Sequence, residues 1–91
     1  MRVISQDGTM DVPYENVVLY QDEKEIMCIF SGIYIGEKIA QYSTEEKARK
    51  AMDMLRDKYK DYAKATNKSN FFTMFDYPKV FQFPQDEDVE V

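Results

Sequence analysis

The spacing of apolar residues changes once along this chain. Up to residue 42 they come in short β-branched and aromatic runs, broken by Asp-Gly, Pro and acidic turns. From there they recur at Ala48, Ala51, Met52, Leu55, Tyr59, Tyr62 and Ala63, the i, i+3, i+4, i+7 recurrence of a helix with one apolar side. The change falls at Tyr42-Ser43-Thr44-Glu45-Glu46. Ser43 followed three residues later by Glu46 is a capping-box pattern, in which each side chain satisfies a backbone N–H at the other position. It predicts a helix over 44–66 with Ser43 as its N-cap. The period ends at Thr66-Asn67-Lys68-Ser69-Asn70, residues that favour turns and caps.

In the first half, residues 2–5 and 9–12 flank Gln6-Asp7-Gly8. Asp-Gly between β-prone runs predicts a hairpin closed by a type I′ turn. Pro13 and Tyr14-Glu15-Asn16 make a corner before Val17-Val18-Leu19-Tyr20, whose unbroken apolar run predicts a strand buried on more than one side. After the turn at Asp22-Glu23-Lys24, Ile26-Met27-Cys28-Ile29-Phe30 reads as a central strand. Two readings compete for the stretch between Ser31-Gly32 and Gly36: Ile33-Tyr34-Ile35 as a short strand, or as part of a wide connection. The preferred pairing is 25–31 with 35–42. Beyond the helix, Val80, Phe81 and Phe83 form a strand-like piece ended by Pro84. The predicted fold is α+β: a small antiparallel sheet of hairpins (2–42) packed by one long helix, then a short C-terminal strand-like segment. Residues 1–84 form the expected domain, and the acidic tail 85–91 is expected to fray.

Ninety-one residues are room for one domain, which buries about 60–65% of the surface its unfolded chain exposes. Seventeen acids against twelve bases give a net charge of −5, which argues against direct DNA binding. Cys28 is the single cysteine, so no intrachain disulfide forms and a reducing, cytoplasmic setting is expected. No apolar run reaches signal-peptide or membrane-span length, so neither export by a cleaved signal nor embedding in a membrane is expected.

The residue types that carry most enzyme chemistry are missing. With no histidine, no cysteine pair and no glycine-rich phosphate loop, no enzyme, cofactor or metal site is predicted. Asp7-Gly8 and Asp22-Glu23 read as turn chemistry, and Cys28 between Met27 and Ile29 as a buried, inert thiol. The helix offers a better lead. Eight bases and five acids lie between Thr44 and Lys68. Arg49, Arg56, Lys60 and Lys64, at i, i+7, i+11 and i+15, form a basic stripe beside the apolar face, interrupted by Asp53. That stripe suits a phosphorylated ligand, with Phe71, Phe72, Phe75 and Tyr77 placed to stack on a base. The competing reading is a solvated helix face followed by core aromatics.

Met1-Arg2-Val3-Ile4-Ser5-Gln6-Asp7-Gly8-Thr9 with Asp11-Val12-Pro13-Tyr14-Glu15, then Tyr42-Ser43-Thr44-Glu45-Glu46-Lys47-Ala48 with Ala51-Met52-Asp53-Met54-Leu55-Arg56, and finally Phe81-Gln82-Phe83-Pro84, resemble small phage and prophage proteins of Gram-positive bacteria. The sheet-plus-helix build is also similar to the Thoeris anti-defence sponges, though no ligand-binding residue of that group maps onto a position here. The resemblance implies a counter-defence protein in the cytoplasm of a host bacterium, sequestering a cyclic nucleotide-type signal. Two alternatives stand beside it. One is an acidic, anti-CRISPR-like inhibitor docking on a host defence protein, with the acids of 86–90 mimicking a nucleic-acid backbone. The other is a structural, self-associating protein, because a domain this small with 14% aromatics is expected to hide some of them in a homo-oligomer.

Overall fold

A computed structural model describes residues 1–30, 35–67 and 80–91, without the side chains of 64–67. The strands are β1 (Arg2–Ile4), β2 (Asp11–Pro13), β3 (Val17–Asp22), β4 (Glu25–Phe30), β5 (Glu37–Gln41) and β6 (Val80–Gln82), with one long helix, α1 (Glu45–Asn67), between β5 and β6. The α+β class is as the pattern predicts, with one helix packed against small sheets. The strands, however, form two three-stranded sheets rather than one, ordered β2-β1-β6 and β3-β4-β5. Pro13 ends β2 and a 3-10 turn at Tyr14–Asn16 redirects the chain, so β3 starts a new sheet instead of continuing the first. The C-terminal piece becomes β6, which pairs parallel with β1.

Each sheet buries one row. In the first, Val12, Val3 and Phe81 stand abreast in register and are all buried, while their strand neighbours Arg2, Asp11, Val80 and Gln82 are exposed. In the second, β4 is central as its composition predicts, and Ile26 and Cys28 are fully buried. A register shift against β5 turns both Ile39 and Ala40 inward. Ala48, Ala51, Met52 and Leu55 of α1 close the core, and the half-buried Tyr59 stacks on Tyr14 with ring centroids 4.5 Å apart. The strand β3 is a correction: it lies at a sheet edge, and its Val18 and Tyr20 face solvent.

The turns also differ from expectation. Asp7 does not adopt positive φ, so the β1–β2 connection is not a type I′ turn. Gly8 at φ 78° takes the left-handed position and donates its N–H to Ser5 at 3.0 Å. The Asp7 carboxylate organises this loop, accepting from the Thr9 hydroxyl (2.7 Å), the Thr9 N–H (3.0 Å) and the Ser5 hydroxyl (2.7 Å). These bonds, from Thr9 above all, lower its pKa to about 2. The helix starts one residue later than the capping-box pattern places it. Thr44 is the N-cap, its Oγ1 accepting the Lys47 N–H at 3.1 Å. Glu45 and Glu46 stand four residues before Arg49 and Lys50, yet no ion pair joins them, since exposed pairs gain too little to hold two long side chains.

Gln6 ties the parts together with all four of its hydrogen-bonding groups. Its N–H donates to the Ile39 carbonyl (3.0 Å), and its Oε1 accepts the Gln41 N–H (2.9 Å), joining the first loop to β5 of the other sheet. Its Nε2 donates to the Pro84 carbonyl (3.1 Å), and its own carbonyl accepts from Gln85 Nε2 (2.7 Å), joining both sheets to the C-terminal segment. Gln6→Ala removes two of these bonds and should cost about 1–3 kcal/mol in urea unfolding. Gln6→Glu keeps the acceptor for Gln41, sets a carboxylate against the Pro84 carbonyl, and should be at least as damaging near neutral pH. Thr44→Ala should cost about 1 kcal/mol, and Glu46→Ala less than half of that, because Thr44 and not the Ser43–Glu46 pair caps the helix.

Candidate functional site

Arg49, Arg56 and Lys60 project from one exposed side of α1, beside the buried face, as their spacing requires. The Lys64 side chain, Phe71 and Phe72 lie outside the described residues. The three bases do not converge. At about 1.5 Å of rise per residue, Arg49 and Lys60 are about 16 Å apart along the axis, too far for one phosphate to bridge. Arg56 is already turned to Asp53, Nη1 to Oδ1 at 3.2 Å, an exposed pair of little energetic weight. Arg49 opens on a groove of about 350 Å³ lined by Glu46, Lys50, Asp53, Glu90 and Val91, near the lower end of the roughly 300–1,000 Å³ of small-molecule pockets. Three acids against two bases in that lining make it a poor trap for an anion.

The C-terminal segment forms one wall of this groove, and it does not fray. After Pro84, a 3-10 turn at Asp86–Asp88 brings Val89 into the core. Asp86 is the anchor. Its Oδ1 accepts the Ser43 N–H at 2.7 Å, and Lys47 Nζ reaches the Asp86 carbonyl at 3.0 Å and Oδ2 at 3.4 Å. The Ser43 N–H, then the Ser43 hydroxyl and the Lys47 charge, hold this carboxyl below the usual carboxylate range. Tyr42 donates its hydroxyl to the Pro84 carbonyl at 2.9 Å, and burial, then the Asp86 charge, raises its pKa. A carboxylate from the chain itself therefore sits just ahead of the start of α1, on the N–H of the residue before its N-cap and on the ammonium of a first-turn lysine. Sequence reading overlooked this triad of Ser43, Lys47 and Asp86. Its signal was a run of acids downstream of a helix start with a lysine in the first turn.

Catalytic chemistry finds no constellation among the described residues. No group of three or more Cys, Asp and Glu is placed to hold a metal ion there. Cys28 is sealed in the core, where burial, with a smaller contribution from Glu37, pushes its thiol up and away from the reactive thiolate. No described helix is long and apolar enough to cross a membrane.

A second surface is apolar. The register places Val18 opposite Ile29 and Tyr20 opposite Met27 on the side of β3-β4-β5 away from the buried Ile26 and Cys28. Val18 is 59% exposed, Tyr20 37%, and the nearby Ile35 78%. Gly36 lets the tyrosine lie close, since a Cβ there would meet the Tyr20 hydroxyl at 2.7 Å. At one end of this face sit Asp22 and Glu25, opposite each other.

The Asp86 anchor is testable by pH. Its carboxyl titrates lower when folded than its unfolded value of 3.8, so its contribution is complete above that value and is lost as pH falls through the folded pKa. Asp86→Asn should lower the urea midpoint near neutral pH, and the gap to wild type should close in acid, where both side chains are neutral.

No protein-family model, curated protein or solved structure matches this chain.

Proposed function

We propose that the protein is a non-enzymatic accessory protein that acts by docking on another protein through the outer face of β3-β4-β5. The observation that carries this reading is the exposure of Val18 and Tyr20, with Ile29 and Met27 opposite them in register, on one side of a small sheet. Contiguous exposed apolar surface of this kind marks an interaction site on a small domain. The acids at its edge and the net charge of −5 select a partner surface with an apolar centre and a basic rim. The resemblance to phage and prophage proteins makes a host defence protein the partner we favour, met in the bacterial cytoplasm. Tail mimicry is the weaker route to such docking, because Asp86 is committed to Ser43 and Lys47.

Sequestration of an anionic, cyclic nucleotide-type ligand is a second reading, favoured by one observation. Arg49 and Lys60 are exposed and make no ion pair among the described residues, and Arg49 borders the groove. The two readings separate in a retention experiment on bacterial lysate with wild type, Val18→Asp/Tyr20→Asp and Arg49→Ala/Lys60→Ala. Docking expects a protein held by wild type and by the helix variant, and lost at least tenfold with the sheet variant. Retention that all three share overturns it. Calorimetric binding of a cyclic nucleotide to wild type but not to the helix variant establishes sequestration instead.

A further inference from the structure

The two sheets have four edges, and three of them are blunted. The strand β2 is three residues long and ends in Pro13, and β6 is three residues long with Pro84 close behind. The free side of β5 is occupied, with the Ile39 carbonyl accepting from Gln6 and the Gln41 N–H donating to it. The fourth edge, β3, has six residues, pairs in unbroken register with β4, and carries no proline, lysine or bulge. Natural sheets seldom leave such an edge unprotected.

Which backbone groups of β3 are free follows from its hairpin. Asp22 and Glu25 close a two-residue turn and so form the hydrogen-bonded pair, and pairs alternate along an antiparallel ladder. Val18, Tyr20 and Asp22 therefore bond to β4. Val17, Leu19 and Gln21 turn their N–H and C=O groups outward, and no described group outside β4 bonds to the β3 backbone.

We propose that β3 is a homodimer edge: two copies pair antiparallel about a two-fold axis at Leu19, joining their three-stranded sheets into one of six strands. This register matches Leu19 with Leu19, Val17 with Gln21, and Val18 with Tyr20 of the second copy. Each of the three outward-facing residues on one copy gains both backbone bonds, and Val18 and Tyr20 extend the apolar stripe begun by Ile29 and Met27. Charge is compatible with a second copy. Asp22, the one acid of β3, falls opposite Asn16 of the other chain, and beyond the strand Glu15, across from Glu23, is paired with the Met1 ammonium at 2.9 Å. The dimer rests on the docking reading only in that its edge borders the same face, and a monomer would leave that reading intact.

The register is tested with single cysteines. Val18 of one copy and Tyr20 of the other form a non-hydrogen-bonded pair, in which Cβ atoms approach to about 4.5–5.5 Å, close to disulfide distance. Equal mixing of Val18→Cys and Tyr20→Cys under mild oxidation should give a covalent heterodimer at least tenfold faster than either variant alone, while buried Cys28 stays out of the reaction. Light scattering on the unmodified protein should show a mass rising towards twice the 10.8 kDa chain between micromolar and near-millimolar concentration. A strict monomer over that range overturns the proposal. So does a dimer whose cross-linking is no faster in the mixture, since such a dimer uses another surface.

Discussion

The arrangement depends on one residue whose backbone and side chain together bridge three segments. Neither sheet is large: the first has strands of three residues, and the second has one helix against its inner side. Hydrophobic burial is non-directional, so a row of Val12, Val3 and Phe81 would tolerate several placements beside Ile26 and Cys28. Gln6 removes that freedom. Its four bonds to Ile39, Gln41, Pro84 and Gln85 fix the first hairpin against β5 and hold the C-terminal segment over both. With the segment held, Asp86 reaches the start of α1 and Val89 completes the core.

This explains which parts of the fold were legible in the sequence. The helix was, because Ala48, Ala51, Met52 and Leu55 repeat at its period, and β4 was, because its apolar run marks a strand covered by neighbours. The edge position of β3 was not. A run such as Val17-Val18-Leu19-Tyr20 looks the same whether its second face is buried in this chain or offered to another. The N-cap was displaced by one residue because Ser43 and Thr44 are both good caps locally, and the bond from Ser43 to Asp86, 43 residues away, decides between them. The folded tail was illegible for the same reason. Its acids argue for solvation when read alone, and their use appears only against Lys47 and the helix start.

The candidate site was legible in part. Periodicity located Arg49, Arg56 and Lys60 on one exposed side of α1, but a helical stripe is straight and convex, and nothing in its spacing creates a cavity. Electrostatics near the stripe are mixed, with Asp53 taking Arg56 and with Glu46 and Glu90 beside Arg49. The cation of the first helical turn, Lys47, is engaged internally by Asp86. An external phosphate seeking Lys47 would have to compete with a carboxylate tethered to the same chain and so present at high effective concentration.

The apolar face and the edge of β3 are then best understood together. One helix covers one side of a three-stranded sheet, and among the described residues the other side keeps Val18 and Tyr20 exposed. Selection on solubility alone would make that side polar, and nothing in the core requires Val18 or Tyr20 to be apolar, since neither is buried there. Their cost is a sticky surface beside an unblunted strand, the combination that negative design normally removes. The other three edges show that this chain uses proline, shortness and side-chain cover where it can. The docking and the edge pairing proposed for this surface account together for a bare β3 and an apolar outer face.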